Sequence, residues 1–465
     1  METKNPRLNV VMLPWLAHGH VSPYLELAKR LADRNFQIYL CSTPINLSSI
    51  KKRVTQNYSQ SIKLIEFHLP SQPDLPDPNF HTTNGLPLHL NRALKRSMDM
   101  ASPSVIEIIK TLKPDILIYD YNQQQALIEA ASLGVPIVQF FTMSAAILCN
   151  YLRAFLKSDV EIPHSSTNHR ASNYWQRKGQ EMLKQYTNDQ GQSRDSVQLT
   201  RKATDTILVK TIGEMEGKYI EHGPKLFGIK IVPTGPLVQK PEEDGEEEEE
   251  HNREIMEWLN KKEKSSTVFV SFGTEYFLSR EEREEIAKGL ELSMVNFIWV
   301  LRFSFEDKIS IEEALPNGFL TRVGDRGLVV EKWAPQARIL GHPNVGGFVS
   351  HCGWGSTMEA MSFGIPIVAI PMNLDQPGNA RLVVEMDVGL EVNRDDNGGL
   401  SGEEIAEFIK EVMVGDEDGK KIRDKVGEMK DKIKSKGEED IDGVVEELIR
   451  LHNKNIAGES KCFAN

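Results

Sequence analysis

Two α/β domains with parallel sheets are what this sequence predicts, on three observations. Short apolar runs alternate with longer amphipathic stretches, as they do where strands are joined by crossover helices. The alternation starts twice, near Leu8 and again near Thr267. The chain has 465 residues, more than a single hydrophobic core commonly serves.

In the first half, Leu8–Leu13 reads as a buried strand, Pro14–His20 as a loop and Pro23–Asp33 as a helix with apolar residues at helical spacing. Phe36–Cys41, Ile116–Tyr119 and Ile137–Phe141 continue as strands. In the second half the strand candidates are Thr267–Phe272, Phe297–Leu301, Leu328–Val330, Gly347–Ser350 and Pro366–Ile370. Between the halves runs an acidic block, Glu242 to Glu250, whose like charges favour a solvated loop. The expected domains are therefore 1–240 and 255–450. A linker at 241–254 and a tail at 451–465, frayed apart from any helix that packs back, complete the scheme. Residues 160–200 are polar and give no clear element.

Composition excludes several classes. Apolar residues make up 40% and charged residues 26%, ordinary for a globular protein. A net charge of −12 disfavours nucleic acid as a partner. No apolar stretch is long enough for a membrane span, and the run after Asn9 is too short for a secretory signal. The four cysteines form no CxxC pair, so free thiols in a reducing cytoplasm are expected.

Ligands in parallel α/β sheets bind beyond the carboxyl ends of the strands. After Gly347–Ser350 comes His351-Cys-Gly-Trp-Gly-Ser-Thr, then a helical stretch. Helix-start N–H groups and the helix dipole make an anion site there. Gly353 and Gly355 let a diphosphate approach the backbone. Ser356 suits a helix cap. Glu359, one turn on, can accept bonds from ribose hydroxyls. A plain strand-to-helix turn would also explain these residues alone.

The other half offers a proton acceptor. Histidine titrates near neutral pH, and the first loop holds His18 and His20. Two histidines so close also look like a fragment of a metal site, but two ligands make a weak case. Asp120, directly after Ile116–Tyr119, could hold such a base in the right tautomer.

The segment from Trp333-Ala-Pro-Gln336 through His351-Cys-Gly-Trp354 and Glu359 to Asp375-Gln376 resembles the signature box of the plant family 1 UDP-glycosyltransferases. The resemblance covers nearly the whole chain. It implies the GT-B fold, two facing Rossmann-like domains. It also implies an inverting UDP-glucose-dependent hexosyltransferase that needs no cofactor and no metal.

By this resemblance Trp333 would stack on uracil and Gln336 would contact the nucleotide. His351, Gly353 and Ser356 would hold the diphosphate, and Trp354 would line the sugar. Glu359 would take the ribose hydroxyls. Asp375 and Gln376 would bond the sugar, a closing glutamine being associated with glucose. Thr274 and Thr142 would join the phosphate or sugar contacts. The resemblance selects His20 as the base and Asp120 as its partner. Many members carry asparagine where this chain has Gly355, so that side-chain contact would fall to backbone or water.

In the amino-terminal half, Leu13-Pro-Trp-Leu-Ala-His-Gly-His, Cys41-Ser-Thr-Pro-Ile-Asn and His81-Thr-Thr-Asn-Gly-Leu-Pro resemble members that lengthen sugar chains on flavonoid or terpenoid glycosides. The expected partners are thus UDP-glucose and a small glycoside, with the enzyme a monomer. An aglycone acceptor, another UDP-sugar, or binding without turnover stay open. A nicotinamide dehydrogenase ranks low, because the first loop lacks GxGxxG.

Overall fold

The computed structural model describes residues 7–75, 77–120, 124–156, 162, 174–179, 205–241, 250–307, 309–415 and 417–458. Contacts divide them into two units. The first holds the described residues of 7–162, 205–237 and 436–458; the second holds 174–179 and the described residues of 238–435.

Among the described residues the first unit is built on a seven-stranded sheet. Its strands are β1 (Asn9–Leu13), β2 (Gln37–Ser42), β3 (Ile62–Glu66), β4 (Ile116–Tyr119), β5 (Ile137–Phe141), β6 (Thr206–Val209) and β7 (Lys230–Pro233). The order is β3-β2-β1-β4-β5-β6-β7, with every neighbouring pair parallel. Successive strand side chains point to opposite faces. Val10 and Met12 accordingly enter one apolar cluster, and Val11 and Leu13 enter the other. Ile116 and Ile118 divide from Leu117 and Tyr119 in the same way. A strand covered on both faces must be apolar throughout, which is why β1 and β4 stand out in the sequence.

The second unit has a six-stranded sheet made of β8 (Thr267–Ser271), β9 (Asn296–Val300), β10 (Gly327–Val330), β11 (Val345–Ser350), β12 (Ile367–Ala369) and β13 (Gly389–Glu391). The order is β10-β9-β8-β11-β12-β13, again parallel throughout. Val268, Val270, Phe297 and Trp299 pack on one face. On the β8–β11 pair, Phe269 stacks on Phe348 with ring centroids 5.2 Å apart. The expected α/β class with two parallel sheets is thus observed. Strands β3, β6, β7 and β13 were not anticipated. Three of them, β3, β7 and β13, are sheet edges, and each of those carries charged residues, so none reads as an unbroken apolar run.

Three boundaries differ from expectation. The first helix begins at His18, not Pro23, and runs to Ala32. Ala17 is its N-cap, and its carbonyl accepts from His20 and Val21. Proline favours a first helical turn, but here Pro23 lies inside the helix, so the loop ends three residues earlier than Pro14–His20 suggests. The expected linker 241–254 is shortened, because Glu250–Asn260 is helical; its acidic core, 242–249, lies outside the described residues.

The carboxyl-terminal domain does not extend to 450, and the chain just past Leu451 belongs to a helix that packs back. A helix runs from Glu417 to Ile456, and from residue 436 it belongs to the first unit. Ile441, Val444, Leu448 and Leu451 enter the first unit's core, each worth about 1.5–3 kcal/mol in transfer terms. Buried Glu447 accepts from Thr206 and Lys230 and bonds Arg450. Against its burial, the Arg450 guanidinium, the Thr206 hydroxyl and the Lys230 ammonium hold its carboxyl well below the usual range, at about 2. Of the unplaced stretch 160–200, residues 174–179 are helical. The rest of the tail, 459–465, lies outside the described residues.

Candidate active site

In both sheets the strand order reverses once, and ligand chemistry in this architecture gathers at that switch point. In the first unit the switch lies between β1 and β4, paired in register up to Leu13 and Tyr119. His20 sits in the helical turn after β1, and Asp120 follows β4 directly. The fold therefore brings together two residues a hundred positions apart.

The distance from His20 Nδ1 to Asp120 Oδ2 is 2.7 Å. The same carboxylate oxygen accepts the backbone N–H of Trp15 at 3.1 Å, and the Asp120 amide donates to the Leu13 carbonyl. Asp120 is 2% exposed. An ionised carboxylate only accepts hydrogen bonds, so Nδ1 must carry the proton. Nε2 then keeps its lone pair, the requirement for a general base. Thr142, after β5, places its hydroxyl 3.1 Å from the same Nδ1. It thus joins the histidine ring in the first unit. His18 is the first residue of the helix that holds His20.

In the second unit the switch lies between β8 and β11, paired up to Ser271 and Ser350. Gly273 and Thr274 follow β8, and His351 follows β11. Cys352 adopts a left-handed conformation, φ 61°, a cost of order 1 kcal/mol for a non-glycine residue. The turn is secured by Ser350 Oγ, which accepts the Cys352 amide at 3.1 Å. The His351 ring packs between two glycines: a Cβ on Gly273 or on Gly353 would lie 2.6 Å from Nε2. Gly353 is therefore needed first to admit the chain's own imidazole. Burial lowers the pKa of His351 to about 4, so near neutral pH it offers a hydrogen bond and no charge.

The helix Trp354–Phe363 has Gly353 as its N-cap. Ser356 therefore does not cap it, as expected from sequence, but stands within the first turn. There its Oγ accepts from Gln336 Nε2 at 3.1 Å, and Gln336 donates also to Glu359 at 2.6 Å. The structure so joins Gln336, Ser356 and Glu359, three residues singled out separately. The first-turn N–H groups, Gly355 among them, have no acceptor within the helix by geometry. Trp354 is 3% exposed and Trp333 42%. The Arg302 guanidinium lies 5.5 Å from the Trp333 ring centroid.

Asp375 and Gln376 lie on the segment after β12. Gln376 Oε1 accepts the backbone N–H groups of Met372 and Asn373, both at 3.0 Å, and Nε2 donates to Asn373 Oδ1 at 2.8 Å. Both acceptor positions of the amide are spent on its own loop, leaving a single N–H for a ligand. Two residues not singled out from sequence secure this segment. Asn379 donates to Asp375 Oδ2 and to the Cys352 carbonyl. Buried Arg394 donates to the Pro371 carbonyl and to Glu282, while the rings of Tyr174 and Trp175 lie 5.8 and 5.9 Å from it. The position of Asn379, one helical turn after Asp375, was a readable signal. That of Arg394 was not.

Comparison with known proteins agrees with this geometry. Residues 236–424 match the family described as UDP-glucoronosyl and UDP-glucosyl transferase, and residues 7–239 match the glycosyltransferase N-terminal domain. The chain is 48% identical to a β-D-glucosyl crocetin β-1,6-glucosyltransferase from Gardenia jasminoides, over 95% of this chain and 98% of that one. It is 46% identical to a mogroside IIIx synthase from Siraitia grosvenorii, over 95% and 93%. The crystal structure of a glycosyltransferase from Siraitia grosvenorii in complex with UDP superposes with a TM-score of 0.73 at 26% identity, covering 95% of this chain and 100% of that one. Two Rossmann-like units with a histidine–aspartate pair and a glycine-bearing helix start define a GT-B glycosyltransferase. The chain belongs to the plant UDP-glycosyltransferase family.

Proposed function

We propose that the enzyme transfers glucose from UDP-glucose, with inversion, to a sugar hydroxyl of a flavonoid or terpenoid glycoside. The observation that carries the catalytic part is the 2.7 Å contact between His20 Nδ1 and Asp120 Oδ2. His20 Nε2 takes the acceptor proton while the acceptor oxygen attacks the anomeric carbon. The bond from that carbon to the diphosphate oxygen breaks, and UDP leaves with the electron pair. Asp120 stabilises the imidazolium that forms.

On the donor side Trp333 stacks on uracil, Gln336 and Glu359 take the nucleoside, and Glu359 accepts from the ribose hydroxyls. His351, Ser356 and the N–H groups from Gly353 to Ser356 receive the diphosphate, whose growing charge the helix start stabilises. Thr274 adds a hydroxyl there. Trp354 lines the sugar. Asp375 accepts from the sugar hydroxyls and Gln376 donates its remaining N–H. No metal is assigned in this scheme, because neutral donors and the helix dipole supply the electrostatic work.

The acceptor class rests on the relatives, whose names describe work on a glucosyl crocetin and on mogrosides. A cytosolic monomer completes the proposal, in keeping with the free, buried thiols of Cys41, Cys149 and Cys352. The test is a mass-spectrometric screen with UDP-glucose and matched aglycone–glucoside pairs, run with and without EDTA. Products are expected from the glucosides, undiminished by EDTA. Reaction of aglycones alone would reject the chain-lengthening role, and loss of product in EDTA would reject the metal-free scheme.

A further inference from the structure

We propose that Asn379 is a positioning residue that sets the carboxylate of Asp375 at a fixed distance from the diphosphate-binding turn. Its side-chain amide is fully buried, at 0% exposure. It donates one N–H to the carbonyl of Cys352 at 3.0 Å and the other to Asp375 Oδ2 at 2.8 Å. Both donors are thereby used, one on each loop.

The two loops need such a link. Cys352 stands in a strained left-handed conformation between His351 and Gly353. Leu374, just before Asp375, is left-handed too, at φ 52°. Strained backbone persists only where its surroundings over-determine it. On the segment from Pro371 to Gln376, the amide of Gln376 closes the loop on itself, and Arg394 holds the Pro371 carbonyl. Neither of these bonds reaches the turn after β11. Asn379 supplies a direct hydrogen-bonded bridge from that segment to it. A sugar is joined to its diphosphate by one oxygen, so the groups that read the two parts must keep a fixed separation. A misplacement of about 1 Å can cost on the order of 10²-fold in rate.

Asn379 touches neither the sugar nor the diphosphate in this reading; it acts through Asp375. The inference rests on the proposed role of Asp375 as a sugar contact. The test uses Asn379→Asp, Asn379→Ala, Asp375→Ala and the double variant Asn379→Ala/Asp375→Ala. Asn379→Asp keeps the shape but sets a carboxylate oxygen against the Cys352 carbonyl and Asp375. For each, UDP and UDP-glucose affinities are measured by calorimetry beside kcat and KM.

Both Asn379 variants are expected to bind UDP nearly as the wild type does, which also reports an intact fold. They should lose kcat/KM for UDP-glucose by on the order of 10²-fold. In the Asp375→Ala background, removal of Asn379 should cost almost nothing more, because residues that act as one unit are non-additive. Additive losses in the double variant would overturn the positioning role. So would wild-type kcat/KM in Asn379→Asp, or parallel loss of UDP and UDP-glucose binding in both variants. If Asp375→Ala itself leaves UDP-glucose turnover unchanged, the sugar-contact reading of Asp375 fails, and this inference falls with it.

Discussion

Replacing His20 by alanine is expected to remove transfer, lowering kcat by on the order of 10²–10⁴-fold, the usual worth of a positioned general base. Binding of UDP should persist. The groups assigned to the nucleotide and diphosphate belong to the second unit, whereas His20 belongs to the first. The fold of the first unit should survive as well, because the helix His18–Ala32 starts at Ala17 by backbone bonds that the histidine side chain does not make. Turnover by mass spectrometry and UDP binding by calorimetry check both halves of the expectation. Undiminished turnover would remove His20 from the chemistry.

The second large effect is expected from Asp120→Asn. The two side chains have nearly the same shape, so packing beside Trp15 and Leu13 is conserved. The charge is not. Asp120 Oδ2 accepts both the Trp15 amide and His20 Nδ1. An amide oxygen in that place keeps both bonds but no longer carries the charge that stabilises the imidazolium. An NH2 group in that place opposes the Trp15 N–H and draws the imidazole into the other tautomer, with its proton on Nε2, where the acceptor proton has to go. A loss of on the order of 10²–10³-fold in kcat is expected, with little change in KM for UDP-glucose. Proton signals of the His20 ring in labelled protein would show the tautomer directly. A variant with unaltered kcat would mean that Asp120 only supports the loop.

Much of the site was legible in the sequence because the chemistry there depends on residue type at short spacing. The box from Trp333 to Gln376 is contiguous, so its turn, its helix and Glu359 could be found without knowing the fold. The strands β1, β4, β5, β8 and β11 were legible because burial on two faces demands unbroken apolar runs. Partners distant in the chain followed less readily. The link from His20 to Asp120 was anticipated because Asp120 stands at a strand end and because the family resemblance pairs the two; spacing alone does not join them. The bond from Asn379 back to Cys352 and the docking of Tyr174 and Trp175 on Arg394 depend on tertiary approach, which leaves no periodic trace.

The helix Glu417–Ile456 misled the domain boundary for a similar reason. Its amphipathic pattern does not break at residue 436, although its packing partners change there. The reading of Ser356 as a cap failed because Gly353 already occupies that place. For Gln376 the sequence could not show that its oxygen is spent on its own loop, which leaves one N–H to offer.

The central claim is a single displacement at the anomeric carbon, driven by His20, with no covalent sugar on the protein. The configuration of the product tests it most directly. UDP-glucose carries an α-linked sugar, so the account predicts a β-glucoside alone when the purified product is examined by proton NMR. An α-glucoside would contradict it.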